Sequence, residues 1–255
     1  MITADIEVTL LGHYGDDLTV VNAARVSFDK QSDWELRYGV SHTEPRWEWS
    51  EEFLCYRRIS DRDLSLINYL ATHGHHSPFN HAFASFRVKA PIFVARQLVK
   101  HKFLPWNEVS RRYVDSEPEF YMPSELRARA TDVKQGSSSE IVTQLAHEEG
   151  REDLWGPFDN DWKPDIYIHH EVDSSLATYK WLLQSGVCPE QARMFLPLNT
   201  MTEWIWSGTL GAWMDMLKSR LDPHAQFETR VVAEKICALL LPHFPYSLEA
   251  NLGHH

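Results

Sequence analysis

The sequence predicts an α+β fold, an antiparallel sheet with packed helices, in one domain over residues 1–255. Two observations carry this. Segments with apolar residues at helical spacing are separated by segments that alternate as strands, without the regular strand-helix-strand order of a doubly wound sheet. The chain is 43% hydrophobic, with 10 Trp, 9 Tyr and 12 Phe, enough for a sizeable core.

In chain order, Ile6 to Leu11 alternates loosely and reads as a strand. Asp17 to Val26 has apolar residues at helical spacing and an Asp for an N-cap. Phe28 to Trp49 has no period and reads as a loop; Ser50-Glu51-Glu52 could cap a short helix. Ser60 to Thr72 is helical, with Leu64, Leu66, Ile67 and Leu70 on its apolar face. Turn chemistry from Gly74 to His81 leads into Ala82 to Lys89, where strict alternation predicts a strand. Pro91 opens a helix reaching about His101, and Pro105 prevents its continuation. Asn107 to Val114 reads as a turn entering a strand, with Ser110 and Arg112 on one face and Arg111 and Tyr113 on the other. Ser116 to Ser139 is loop-rich. Helices are predicted at Ser139 to His147, Asp173 to Ser185, with Gly186 as its C′ residue, and Pro189 to Phe195. A Trp-rich strand, Asn199 to Trp206, and helices Thr209 to Arg220 and His224 to Leu241 complete the chain.

The formal charge is −11, from 25 Lys+Arg against 36 Asp+Glu, which disfavours general wrapping of nucleic acid. No apolar run approaches the roughly 18 residues that cross a bilayer, so no membrane association is expected. The N-terminal residues lack a secretion signal, and Cys55, Cys188 and Cys237 stand in no Cys-x-x-Cys spacing. Buried free thiols in the cytoplasm are the expectation.

Positive charge is nevertheless concentrated. Arg87 to Tyr113 holds seven bases and one acid, a net +6, whereas Glu140 to Asp173 holds ten acids and two bases. A compact basic island flanked by Trp106 and Tyr113 suits a small anion such as a nucleotide phosphate. Other chemistries are weaker. His73-x-His75-His76 lacks the spacing and companion ligands of a metal site. Ser110 has no Gly-x-Ser-x-Gly elbow, and neither a Gly-x-Gly-x-x-Gly nor a Gly-Lys-Ser/Thr loop is present.

The island carries Lys100-His101-Lys102, seven residues, then Ser110-Arg111-Arg112-Tyr113, with Asn107-Glu108 ahead of the serine. This resembles the signature of the flavin-dependent thymidylate synthases: Arg-His-Arg, seven residues, then Ser. The resemblance continues in Val21 to Phe28, Gly74 to His81, Lys89 to Gln97, Pro189 to Arg193 and Arg220 to Gln226. Five ordered blocks are far more specific than one motif.

The resemblance implies methylation of dUMP at C5 to dTMP, with 5,10-methylenetetrahydrofolate as carbon donor and FAD reduced by NADPH as hydride source. It also implies a homotetramer whose active sites draw on several subunits. Carried over by position, Gln97, Glu108, Ser110, Arg111, Arg112, Arg193 and Arg220 surround dUMP, and Arg220 is the catalytic group that stabilises negative charge on the N3–C2=O edge of uracil. Ser27, Ser77, Lys100, His101, Lys102, Asn107, Glu108, Thr209, Leu210, Gly211 and Asp215 match FAD contacts, and His75 a position near flavin and folate. The sequence departs from the family in Lys at 100 and 102, which keeps charge but loses the bidentate fork. At Thr209 and Asp215 amide side chains are expected. Two other readings share these residues: a relative that methylates or hydroxymethylates dCMP, and a non-catalytic nucleotide or RNA binder.

Overall fold

A computed structural model of the chain describes residues 1–38, 49–50, 55–114, 116–131, 137–143 and 164–253. Its centre is a four-stranded antiparallel sheet. The strands are β1 (Glu7–Tyr14), β2 (Phe83–Pro91), β3 (Trp106–Glu108) and β4 (Met201–Thr209), in the spatial order β1-β2-β4-β3. The helices are α1 (Asp17–Arg25), α2 (Asp61–Thr72), α3 (Ile92–Leu98), α4 (Pro164–Gln184), α5 (Pro189–Ala192), α6 (Leu210–Arg220), α7 (Phe227–Leu240) and α8 (Pro245–Leu252).

The alternation of β2 decides which face is covered. Ala84, Phe86, Val88 and Ala90 are buried, and Gly208, Trp206 and Trp204 of β4 stand directly opposite the first three. Trp213 of α6 seals this face: its ring meets Phe86 and Trp206 edge-on at 4.9 Å, and its Nε1 donates to the carbonyls of Ala84 and Gly208 at 3.2 and 3.1 Å. A buried indole N–H thereby finds acceptors on both central strands. A smaller apolar cluster, Phe120, Val172, Leu176, Tyr179 and Ala192, joins α4 and α5 to the strand Glu119–Phe120.

Local signals explain most element ends. Asp16 and Thr19 form a reciprocal capping box on α1, and Ser60 and Thr209 cap α2 and α6 with their hydroxyl oxygens. Asp17 acts across the fold. Its buried carboxylate accepts from the backbone N–H groups of Tyr246 and Ser247 at 3.0 and 2.9 Å, capping the first turn of α8.

Several expectations are corrected. Phe28 to Trp49 is not all loop: Glu35–Tyr38 pairs antiparallel with Cys55–Arg58. Ser50 lies in a two-residue strand on Cys55–Arg58 instead of capping a helix, and Glu51 and Glu52 lie outside the described residues. Ser137–Ile141 is a strand paired with Arg127–Arg129, not the start of a helix; its run of serines disfavours helix, and 144–147 lie outside the described residues. The helix expected from Asp173 begins at Pro164, since Pro is compatible with a first helical turn. At Asn107 to Val114 the order is reversed. The strand comes first, pairing with β4, and Tyr113 N–H donates to the Ser110 carbonyl at 3.0 Å to close a turn. The chain does not end at the helix before Leu241, because α8 follows with Pro245 in its first turn. Cys188, expected buried, is exposed at the N-cap of α5, whereas Cys237 is half-buried.

Candidate active site

The end of α3, the end of α6 and the start of α7 converge. Arg220, the last residue of α6, donates from Nε to His101 Nε2 at 2.8 Å across 119 residues of sequence. Burial, and then the neighbouring guanidinium, push the His101 imidazole down to about 4, with Asp215 opposing. It is therefore neutral at pH 7 and can accept this bond. The bond uses Nε alone and leaves both Nη atoms of Arg220 for other partners. Burial also lowers the Arg220 guanidinium from its ordinary value.

One turn before the signature, Gln97 Nε2 donates to Gln226 Oε1, and Thr229 Oγ1 donates to Gln97 Oε1 at 3.4 Å. Gln226 in turn donates to Glu228 Oε2 at 3.1 Å, and Arg127 closes an ion pair on the other oxygen of this buried carboxylate. Both faces of the Gln97 amide are thus fixed from α7.

A second group forms where β3 leaves the sheet. Glu108 accepts from Thr202 Oγ1 at 2.7 Å and from Trp106 Nε1 at 3.1 Å, so strand pairing aims its carboxylate. Ser110 Oγ accepts from Arg112 Nε at 3.2 Å; Arg112 Nη1 lies 3.7 Å from Glu190 of α5, and its guanidinium sits 4.8 Å over the Tyr113 ring. Glu190 is three residues before Arg193, which is exposed at the end of the same turn. Arg111 differs from these. It donates to the Ser116 carbonyl at 3.0 Å and packs half-buried beside the Tyr179 hydroxyl, which fixes the turn to α4.

The residues matched to flavin contacts lie mainly on the surface. Ser27, Ser77, Lys100, Lys102, Asn107 and Asp215 are exposed, and Leu210 is buried. Thr209 Oγ1 donates to Asn80 Oδ1 at 2.8 Å, tying the start of α6 to the turn Ser77–His81. Gly211 permits that approach, since a Cβ there would stand 2.5 Å from Asn80 Oδ1. Asn80 escaped assignment from sequence although it lies within the Gly74 to His81 block, as did Gln226 in the block after Arg220. His75 is placed by a helix C-cap. Gly74 takes φ +66°, and His75 N–H donates back to the Leu70 carbonyl at 2.9 Å, a Schellman closure that folds the imidazole beside Tyr69.

A family model described as "Thymidylate synthase complementing protein" matches residues 9–246. The flavin-dependent thymidylate synthase of Thermosipho africanus is 33% identical over 243 residues, covering 95% of this chain and 89% of its own. The chain belongs to the flavin-dependent thymidylate synthase family. The enzyme of that name from Kosmotoga olearia is 34% identical over 246 residues, with 96% and 90% coverage. Among solved structures, the UMP/dUMP methylase PolB of Streptomyces cacaoi bound with 5-Br dUMP superposes with a TM-score of 0.73 at 27% identity, covering 98% of this chain and 95% of that one.

The family's flavin suits the side chains present. Lys100 and Lys102 carry no ion pair among the described residues, leaving two exposed cations for a pyrophosphate, and the Ser27 and Ser77 hydroxyls face solvent nearby in sequence to the aromatic residues Phe28 and His75. No helix among the described residues is long and apolar enough to cross a membrane.

Proposed function

We propose that the chain converts dUMP to dTMP in the cytoplasm as one catalytic domain, with 5,10-methylenetetrahydrofolate as one-carbon donor and FAD reduced by NADPH. The observation that carries this reading is the meeting of Arg220 with His101, which joins the Lys-His-Lys signature to the residue matched to the uracil edge. Bound reduced flavin supplies the hydride, and the folate supplies the carbon.

The protein's part is electrostatic. Arg220, with Nε held by neutral His101, directs its remaining N–H groups at the N3–C2=O edge of uracil, where negative charge makes C5 nucleophilic. Gln97, held by Gln226 and Thr229, orients the base, and Arg112 and Arg193 take the phosphate with Ser110 as a hydrogen-bond partner. Ser110 already accepts from Arg112, which suits binding and not nucleophilic attack. Glu108 lines the same site, while Arg111 supports its turn from behind. Lys100, Lys102, Ser27, Ser77, Asn107, Asp215 and the start of α6 from Thr209 to Gly211 hold FAD, and His75 lies against flavin and folate.

Among the described residues no hydrogen bond or ion pair joins the Arg112–Arg193 group to the Gln97–Arg220 group. Met194, Phe195 and Leu198 beside Arg193 are 75%, 54% and 63% exposed, an apolar surface suited to a second copy. A homotetramer with shared sites unites the two groups. Titrating dUMP into the FAD-loaded protein tests the reading. The expected result is a saturable change in flavin absorbance with dUMP and none with dCMP; a response to dCMP alone, or a protein that takes up no FAD, contradicts it.

A further inference from the structure

Glu228, in the first turn of α7, is a buried carboxylate outside the residues matched to substrate and flavin. Arg127 pairs with its Oε1, and the start of a helix favours negative charge, so the group is ionised. Arg127 is itself held from two further sides. Its Nε donates to Ser137 Oγ at 3.0 Å, and its guanidinium lies 4.5 Å over the Phe227 ring.

This charge sets the direction of a chain of side-chain amides. An ionised carboxylate accepts hydrogen bonds and cannot donate them. The atom of Gln226 that meets Glu228 Oε2 at 3.1 Å is therefore its Nε2, which turns Gln226 Oε1 toward Gln97. Gln97 answers with its own Nε2, and its Oε1 accepts from Thr229 Oγ1 at 3.4 Å. Thr229 suits either direction, since a hydroxyl both donates and accepts, so the direction is imposed by Glu228. One Nε2 proton of Gln97 goes to Gln226, and the second meets no acceptor among the described residues.

We propose that Glu228 is a positioning residue that makes the site read uracil and refuse cytosine, by fixing which end of the Gln97 amide faces the base. The proposal rests on dUMP as the substrate. With Arg220 at the N3–C2=O edge, the group left for Gln97 is the one at C4, where the two bases differ: uracil carries a carbonyl oxygen and cytosine an amino group. The second Nε2 proton of Gln97 suits the carbonyl. Against the amino group it sets N–H against N–H and leaves a donor unpaired. An unrestrained amide would turn over and serve both bases, whereas one held by a charge through Gln226 serves one.

Glu228→Gln tests this because it reverses the chain. Arg127 has donors only and takes the new amide oxygen, so the new NH2 faces Gln226. Gln226 and then Gln97 turn over in answer, and Gln97 Oε1 stands where its Nε2 was, an acceptor for the amino group of cytosine. The FAD-loaded protein is titrated with dUMP and with dCMP by flavin absorbance, beside a thermal melt. Wild type is expected to respond to dUMP alone. Glu228→Gln gains a saturable response to dCMP and binds dUMP roughly tenfold or more weakly, the effect of one mismatched buried donor. Gln226→Leu, which breaks the chain but keeps the Arg127–Glu228 pair, admits both nucleotides. A merely structural role for Glu228 weakens dUMP binding without admitting dCMP. Absence of a dCMP response in folded Glu228→Gln overturns the proposal, and if that variant holds no flavin the same absence in Gln226→Leu does so. Wild type that responds to neither nucleotide, or to dCMP alone, overturns the reaction on which the proposal rests.

Discussion

Arg220 Nε donates to His101 Nε2 over 2.8 Å, so the Lys-His-Lys signature and the end of α6 are held by a bond that requires neutral imidazole. Burial and Arg220 bring His101 to about 4, below its ordinary 6.5. A folded value below the unfolded one gives stability that is complete above pH 6.5 and is lost as pH falls from 6.5 toward 4. Melting curves of wild type and His101→Gln between pH 7.5 and 4.5 should therefore converge on acidification. A gap independent of pH contradicts the assignment.

Arg220→Ala removes the donors aimed at the uracil edge. Turnover of dUMP is expected to fall about a hundredfold or more, as for loss of a single oxyanion donor. Helix α6 continues through Ala, so stability falls by only about 1 kcal/mol for the lost bond to His101. Steady-state kinetics beside a thermal melt separate the two effects, and unchanged turnover removes Arg220 from its role.

Gly208 lies in β4 beneath the segment that carries Lys102. A Cβ there would stand 2.3 Å from Leu104 Cδ2 and 3.0 Å from the Phe103 carbonyl, and Phe103 already holds a φ of +62°. Gly208→Ala is expected to cost about 1–3 kcal/mol through overpacking and to shift this turn. Flavin retained after desalting should fall with it; full retention would show that the turn and the flavin site are independent.

Asp17 caps α8 from the first turn of α1, with both oxygens engaged and the carboxyl pushed by burial up to about 7. Asp17→Ala leaves two N–H groups unpaired beneath α1 and should lower stability by about 2 kcal/mol in chemical denaturation. Although α8 packs against α6, no hydrogen bond among the described residues joins it to Arg220, so dUMP affinity of the remaining folded protein should be unchanged.

The sheet and the main helices were legible because their signals are local: the alternation of Ala84 to Ala90, the Thr209 cap, the glycine at 186. What sequence could not reveal depended on distant partners. The three-residue strand at Trp106 exists through its pairing with Trp204 to Trp206, and α8 is capped by Asp17, some 230 residues earlier. For the site, family blocks pointed to Gln97, His101 and Arg220 as candidates, but not that His101 accepts from Arg220 or that Gln226 holds Gln97. Nor could the motif show that Arg111, grouped there with the substrate arginines, donates to the Ser116 carbonyl and so ties its own turn. Side-chain direction in an irregular segment is set by what packs against it, which linear spacing does not contain.

Conversion of dUMP to dTMP is decided by incubating the FAD-loaded protein with dUMP, NADPH and methylenetetrahydrofolate and analysing the nucleotides by mass spectrometry. dTMP should accumulate, and omitting either NADPH or the folate should abolish it. Recovery of dUMP intact from a protein saturated with flavin, or a methylated product from dCMP alone, would contradict it.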